Sequence, residues 1–205
     1  MKKKGVFICI EGLDASGKTT HAHRLVRNLR TKGFDAVYTT EPSRGEFGRF
    51  IRTYVLQRKR RVPSVVEALL FAVDRVGHVE KEIKPALEKG KIVISDRYVY
   101  SSLAYQGAAG LDLKWIEEIN RVALPPDLVI YIDVPSDVVV KRIKRKKSVM
   151  ENLETQRRVR DVYMKFVENG RLLPINGNRT KNEVAKNILT VVLDFLKNYR
   201  NFQSV

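Results

Sequence analysis

Eight consecutive residues, Gly12-Leu13-Asp14-Ala15-Ser16-Gly17-Lys18-Thr19, have the types and spacing of a phosphate-holding loop, Gly-x-x-x-x-Gly-Lys-Ser/Thr. The glycines let the backbone curl until its N–H groups point inward at phosphate oxygens. A helix opening near Lys18 adds its positive dipole end. In such a loop the lysine ammonium reaches the β- and γ-phosphates, and the hydroxyl of Thr19 ligates Mg²⁺. The loop follows an apolar run, Val6–Ile10, and precedes a helical pattern that includes Thr20, which is the context the motif requires. A nucleoside triphosphate is the ligand these residues predict.

A second set of polar residues follows another apolar run. Ile92-Val93-Ile94-Ser95-Asp96-Arg97 places Asp96 and Arg97 where a strand would end. Asp96 could hold Mg²⁺ through water and Arg97 could clamp a second phosphate; the alternative is a solvated ion pair. Farther on, Arg97, Ser101 and Tyr105 lie four apart, with Gln106 adjacent, so a helix would gather them on one face. Phe71, Arg75 and His78 share another helical face. A ring beside a guanidinium can stack a planar base and bond its edge, and core packing is the competing explanation. Arginine only donates, so Arg75 would favour a base carbonyl over an amino group. His21 and His23 are two apart and do not form a helical metal pair. Cys9, the one cysteine, reads as a small buried hydrophobe, and it excludes both an internal disulfide and a cysteine zinc site.

The elements that must position these residues alternate. Val6–Ile10, Ala36–Tyr38, Ile92–Ile94 and Leu128–Ile132 read as strands buried on both faces, and Leu172–Ile175 as an edge strand because it contains Pro174. Helical patterns cover Thr19–Thr31, Ser64–Glu88, Leu113–Ala123, Ser136–Arg145, Asn152–Val167 and Lys181–Tyr199. Ser64 with Glu67 reads as a capping box, and Pro85 as a kink in the last turn. The alternation predicts an α/β, doubly wound parallel sheet of about five strands with helices on both faces. Ligands should then sit beyond the carboxyl ends of the strands. With 205 residues, the chain reads as a single domain over 1–205. Its net charge of +16 speaks to anionic partners rather than to fold. Six of the seven residues Lys141–Lys147 are basic, as a closing lid or as a solvated helix face. Lys2-Lys3-Lys4 resembles the start of a signal peptide, but Glu11 interrupts the apolar stretch after it. No apolar run is long enough to span a bilayer. The expectation is a soluble cytoplasmic protein without a membrane partner.

Four segments together resemble the thymidylate kinase family: Ile10–Thr20; Thr40-Glu41-Pro42; Leu70–Arg75 with His78; and Asp96–Gln106. Pro125-Pro126-Asp127-Leu128-Val129 extends the match. The resemblance implies a three-layer P-loop kinase fold, with a short basic lid at about 141–151, that moves the γ-phosphoryl group of ATP to dTMP with Mg²⁺. It implies that Gly12–Thr20 and Arg142 bind ATP, and that Asp14 lies near the dTMP phosphate and sugar. Arg44 and Arg97 would hold that phosphate, with Ser101 on the same face. Phe71 would stack on thymine, Arg75 would bond its edge, Tyr105 would pack on the deoxyribose and Gln106 would lie near the base. Lys18, Asp14, Arg97, Arg142 and Arg145 would be catalytic, and Thr19 and Asp96 would serve the metal. Glu151 would follow the lid at the substrate or the Mg²⁺. Some members carry an arginine within the loop; here Ala15 and Ser16 stand there, so a lid residue would substitute, with Arg142, Lys144, Arg145, Lys146 and Lys147 all candidates. Met150 stands where some members have tyrosine, which leaves the sugar 3′ contact open. The family is typically homodimeric, and the apolar density of Val65–Val79 fits an interface. A deoxynucleoside kinase on the same fold and a basic nucleic-acid-binding ATPase are the rivals. The first needs no Arg44/Arg97 clamp; the second predicts steeply salt-dependent DNA affinity, whereas no specific nucleic-acid partner is expected here.

Overall fold

The computed structural model describes residues 5–57, 62–143 and 152–202. Five strands form one all-parallel sheet: β1 (Val6–Gly12), β2 (Ala36–Thr40), β3 (Ile92–Asp96), β4 (Leu128–Asp133) and β5 (Leu173–Asn176), in the order β2-β3-β1-β4-β5. All seven residues of β1 are buried, as a central strand covered on both faces must be. β5 pairs only with β4, so Pro174 sits on an edge strand, as expected.

Helices cover the sheet. The first, α1 (Lys18–Thr31), packs on β1 to β3 and on the last, α9 (Lys181–Phe202). The other layer holds α3 (Ser64–His78), α5 (Val99–Ala108), α6 (Leu113–Ile119) and α8 (Leu153–Glu168). Three shorter α-helices are also described, α2 (Glu46–Ile51), which runs on into a π-helical turn at Arg52–Leu56, α4 (Lys84–Glu88) and α7 (Ser136–Arg142). Among the described residues, no helix is long and apolar enough to cross a membrane.

Four local expectations need correction. Ser64 does not cap α3. Pro63 occupies the cap position at φ −53°, ψ 141°, and its carbonyl receives the Glu67 N–H, while the Glu67 carboxylate turns inward to accept from Gln106 Nε2 at 2.9 Å. The helical run 64–88 is not a single α-helix. A π-helical turn, Val79–Ile83, separates α3 from α4, and Pro85, which has no N–H to donate, stands at the start of α4. α6 stops at Ile119 because the Asn120 side chain folds back, its Nδ2 donating to Ile116 O at 2.8 Å. α7 stops at Arg142, where Ile143 turns extended. Residues 144–151, with Lys144, Arg145, Lys146, Lys147, Met150 and Glu151, lie outside the described residues, and so does most of the expected lid.

The sheet core fixes where β1 ends, and hence where the phosphate loop begins. Ile8, fully buried and paired with β3 and β4, is the test position. Ile8→Ala should cost about 2–5 kcal/mol through lost burial and a residual cavity. The check is urea unfolding, with the midpoint falling and the slope unchanged.

Candidate active site

The strand ends converge as the motif requires. Ile10 is in register with Asp96, and the Arg97 N–H donates to Ile10 O at 3.0 Å, so the residues after β3 lie directly beside the loop after β1. Gly12 has φ 152°, and a Cβ there would come within 2.7 Å of Ser16 Oγ and 2.9 Å of Ile132 O. The tight curl therefore needs glycine. Ala15 (φ 58°) and Gly17 (φ 99°) complete the turn into α1.

Lys18 is buried and its Nζ donates to Leu13 O at 2.6 Å, folded over its own loop. Burial first, and then the charge of Arg97, lower its pKa to about 8, against the opposing pull of Asp14, Asp96 and Glu11. The next residue, Thr19, donates from its Oγ1 to Asp96 Oδ2 at 2.5 Å. The other carboxylate oxygen of Asp96 is buried and has no hydrogen-bond partner among the described residues. A hydroxyl and a carboxylate that keeps one buried oxygen unpartnered, beside a phosphate loop, are the hard-oxygen donors Mg²⁺ takes. Among the described residues, no cluster of three or more His, Cys, Asp or Glu could cage a metal. The donor set therefore fits an ion completed by phosphate and water.

Four of the predicted side chains meet at the mouth of the loop. Arg97 adopts φ 74°, unusual for a branched-free but bulky residue, which turns its side chain back toward β1. Its Nη2 donates to Asp14 Oδ1, its Nη1 donates to Ser101 Oγ at 3.0 Å, and its guanidinium lies 5.1 Å from the centre of the Tyr105 ring. The Tyr105 hydroxyl accepts the Asp14 backbone N–H at 3.0 Å. Burial pushes the Tyr105 phenol well up, with Asp14 adding to it, so the hydroxyl stays neutral at any working pH.

These features match a known family over most of the chain. A family model described as thymidylate kinase matches residues 10–188. The chain belongs to the thymidylate kinase family. A protein of Thermococcus gammatolerans named "Probable thymidylate kinase" is 43% identical over 202 residues, covering 92% of this chain and 96% of its own. One of Pyrococcus abyssi with the same name is 45% identical over 197 residues, covering 92% and 96%. A third, from Thermococcus onnurineus, is 48% identical over 173 residues, covering 80% and 84%.

The remaining described residues that the thymidylate kinase resemblance singled out fall on α3, on α5, in the loop after β2 and at the end of α7. Phe71, Arg75 and His78 do share a face of α3, but Arg75 and His78 are buried, and Phe71 is half-buried. Arg75 is 1% exposed and is bonded to Glu41, Ser102 and Asn120. Gln106 is buried against Glu67, with its Oε1 unpartnered among the described residues. Arg44 is exposed in the loop after β2, and Arg142 is exposed at the end of α7. Burial and the charges of Arg24, Lys181 and Arg142 together hold the His21 imidazole below its usual pKa.

Sequence reasoning did not find the residues that fix the Arg44 loop. Asp74 accepts from both the N–H and the hydroxyl of Ser43, each at 2.6 Å. Arg52 donates to the carbonyls of Pro42 and Ser43, clamping the turn that follows the cis Glu41–Pro42 bond. Gly48 backs this turn so closely that a Cβ would fall 1.9 Å from Ser43 O. The Asp74-Arg75 pair in the sequence carried part of this signal, but only Arg75 was read as functional.

The lowered Lys18 pKa has a measurable consequence. A lysine near 8 loses its charge as pH rises through that value, and a bound polyphosphate would restore it. The kcat/KM for the triphosphate should therefore fall above about pH 8, while the corresponding limb in kcat moves to higher pH. A pH–rate profile flat to 9.5 at fixed ionic strength would contradict it.

Proposed function

We propose that the protein transfers the γ-phosphoryl group of ATP to dTMP, giving dTDP and ADP, as one kinase domain over residues 1–205. The observation that carries this reading is the joining of two anion sites. The Gly12–Thr19 loop with Lys18 ends one strand, and Arg97, bound to Asp14, Ser101 and Tyr105, ends its neighbour. Phosphoryl transfer asks the protein mainly to hold two phosphates in line and to stabilise spreading charge. In this reading Gly12, Leu13, Asp14, Ala15, Ser16, Gly17, Thr19 and Thr20 cradle the donor phosphates. Lys18 leaves Leu13 O for the β- and γ-phosphates. Arg97 and Arg44 take the acceptor phosphate. Tyr105 faces the deoxyribose, and Phe71, Arg75 and Gln106 form the base end. Thr19 and Asp96 would hold Mg²⁺, whose contribution is to neutralise charge on the donor phosphates. Arg142 and Arg145 supply positive charge from the lid side. The setting is the cytoplasm.

An apolar face supports a second feature, a homodimer. On α3, Val65, Leu69, Val73 and Val76 recur at helical spacing and are each about 44–45% exposed. Phe47 and Phe50 of the adjoining α2 extend the patch, at 48% and 45% exposed. Contiguous apolar surface of this kind marks an interface. Sedimentation should show a dimer, and Val73→Glu should shift it toward monomer; a monomeric parent would remove the proposal.

The decisive assay follows ADP release with Mg²⁺ and ATP, using dTMP, dUMP, dCMP, AMP and thymidine as separate acceptors. Turnover should be strongest with dTMP. Arg97→Ala should lower kcat/KM for dTMP by roughly ten- to a hundredfold, the scale of losing a charge-assisted contact. Turnover with thymidine but not dTMP would keep the fold and overturn the acceptor site. No acceptor-dependent turnover would point instead to an ATPase, with DNA the next addition.

A further inference from the structure

A buried network outside the residues already assigned holds Arg75. Glu41, at the carboxyl end of β2, is 4% exposed, and Arg75 is 1% exposed. Arg75 Nε and Nη2 both donate to Glu41 Oε2, at 2.9 and 2.6 Å. Nη2 also donates to Ser102 Oγ at 3.1 Å, and Nη1 donates to Asn120 Oδ1. The Asn120 amide cannot turn freely, because its Nδ2 donates to Ile116 O. A guanidinium has five N–H groups. Among the described residues these bonds engage four of them and leave one hydrogen, on Nη1.

Glu41 is itself braced. Its second oxygen, Oε1, lies 3.2 Å from His78 Nδ1. His78 Nε2 is 2.6 Å from Thr39 Oγ1, and that hydroxyl donates to Glu82 Oε2 at 2.9 Å. Both oxygens of the Glu41 carboxylate are therefore directed, one by Arg75 and one by His78. The order along the network is Glu82, Thr39, His78, Glu41, Arg75, and it ties β2 to α3 and to the π-helical turn after it.

We infer that Glu41, braced by His78 and Thr39, is the positioning residue that fixes Arg75 so that a single N–H remains for the base, and that this makes the pocket select one acceptor oxygen. A loosely held arginine could rotate a different N–H toward a ligand, or withdraw from an amino group. One held by a carboxylate, an amide and a hydroxyl can do neither without breaking a buried bond. A pyrimidine with a carbonyl at the read position satisfies the remaining N–H. A pyrimidine with an amino group there sets donor against donor and leaves both unpaired, which is the strong form of discrimination. The preference for thymine or uracil over cytosine thus resides in the partners of Arg75 as well as in Arg75. This inference rests on the reading that Arg75 meets the base.

The test compares kcat and KM for dTMP and dCMP across Arg75→Ala, Glu41→Gln, His78→Gln and Thr39→Val, with far-UV circular dichroism and melting temperature for each. Glu41→Gln uncouples a buried charge pair and can fail to fold; His78→Gln and Thr39→Val loosen the brace while leaving that pair intact. Arg75→Ala should raise the dTMP KM. His78→Gln, and Glu41→Gln where it folds, should raise the dTMP KM by about tenfold with kcat within about twofold, and should narrow the dTMP-to-dCMP ratio of kcat/KM. A purely structural role would lower the melting temperature and leave that ratio unchanged. If Arg75→Ala leaves the dTMP KM unchanged, the base reading itself fails. If Arg75→Ala raises it but the folded brace variants keep the parent ratio, the positioning role is wrong and the base reading stands.

Discussion

The carboxylate of Glu11, one residue before the phosphate loop, sits in the dry interior with four donors converging on it. They are the backbone N–H groups of Tyr98 (2.8 Å) and Ser101 (3.2 Å) and the hydroxyls of Ser101 (2.7 Å) and Tyr163 (2.9 Å). Burial raises its pKa, and the Ser101 bond, the Arg97 charge and the Tyr163 bond pull it back. The Tyr98 N–H belongs to the N-cap residue of α5 and the Ser101 N–H to its first turn, where a helix favours negative charge. One side chain thus joins β1, α5 and α8, elements far apart in sequence. Ser101, held by Glu11, is also the residue that receives Arg97. The phosphate loop and the arginine clamp share one anchor, so their separation is set by a buried bond rather than by surface loops.

That anchor also explains what the sequence made legible. The five strands could be read because burial on both faces writes itself as unbroken Val and Ile runs, and the loop could be read because its chemistry demands fixed local spacing. Asp14, Ser101 and Tyr105 were also within reach, since α5 gathers Ser101 and Tyr105 and the sheet register brings Asp14 across, but Arg97 lies two residues before α5, at φ 74°, and not on the helical face its spacing suggests. Glu11 was not. It appeared as a charge ending an apolar run, and its partners lie 87 to 152 positions away. Glu41 and Asp74 were hidden for the same reason, since their partners lie 34 and 31 positions away, and Arg52 because it bonds backbone carbonyls, which residue types do not mark. At Ser64 the capping pattern was present, but Pro63 takes the cap position, with no side-chain cap bond, and Gln106 draws Glu67 into the interior. Tertiary contact overrode a local preference there.

Charge is the last constraint to reconcile. Lys18 and Arg97 face the same cleft, and each is a cation taken largely out of water. Their mutual repulsion contributes to the lowered Lys18 pKa. Asp14 answers part of it by pairing with Arg97, and Asp96 answers part from beside Thr19. The Lys18 ammonium takes Leu13 O, a neutral carbonyl, where an anion would suit it better. The φ of 74° at Arg97 adds a local cost of about 1–3 kcal/mol of the kind that persists only when the surroundings fix it. Glu11, Ser101 and Asp14 are those surroundings. The cleft therefore holds two partly satisfied cations at a fixed spacing, and phosphate oxygens entering between them would relieve the repulsion and replace the carbonyl. The protein meets the cost of aligning these charges on folding, so that little reorganisation is left for the moment when charge moves between the two nucleotides.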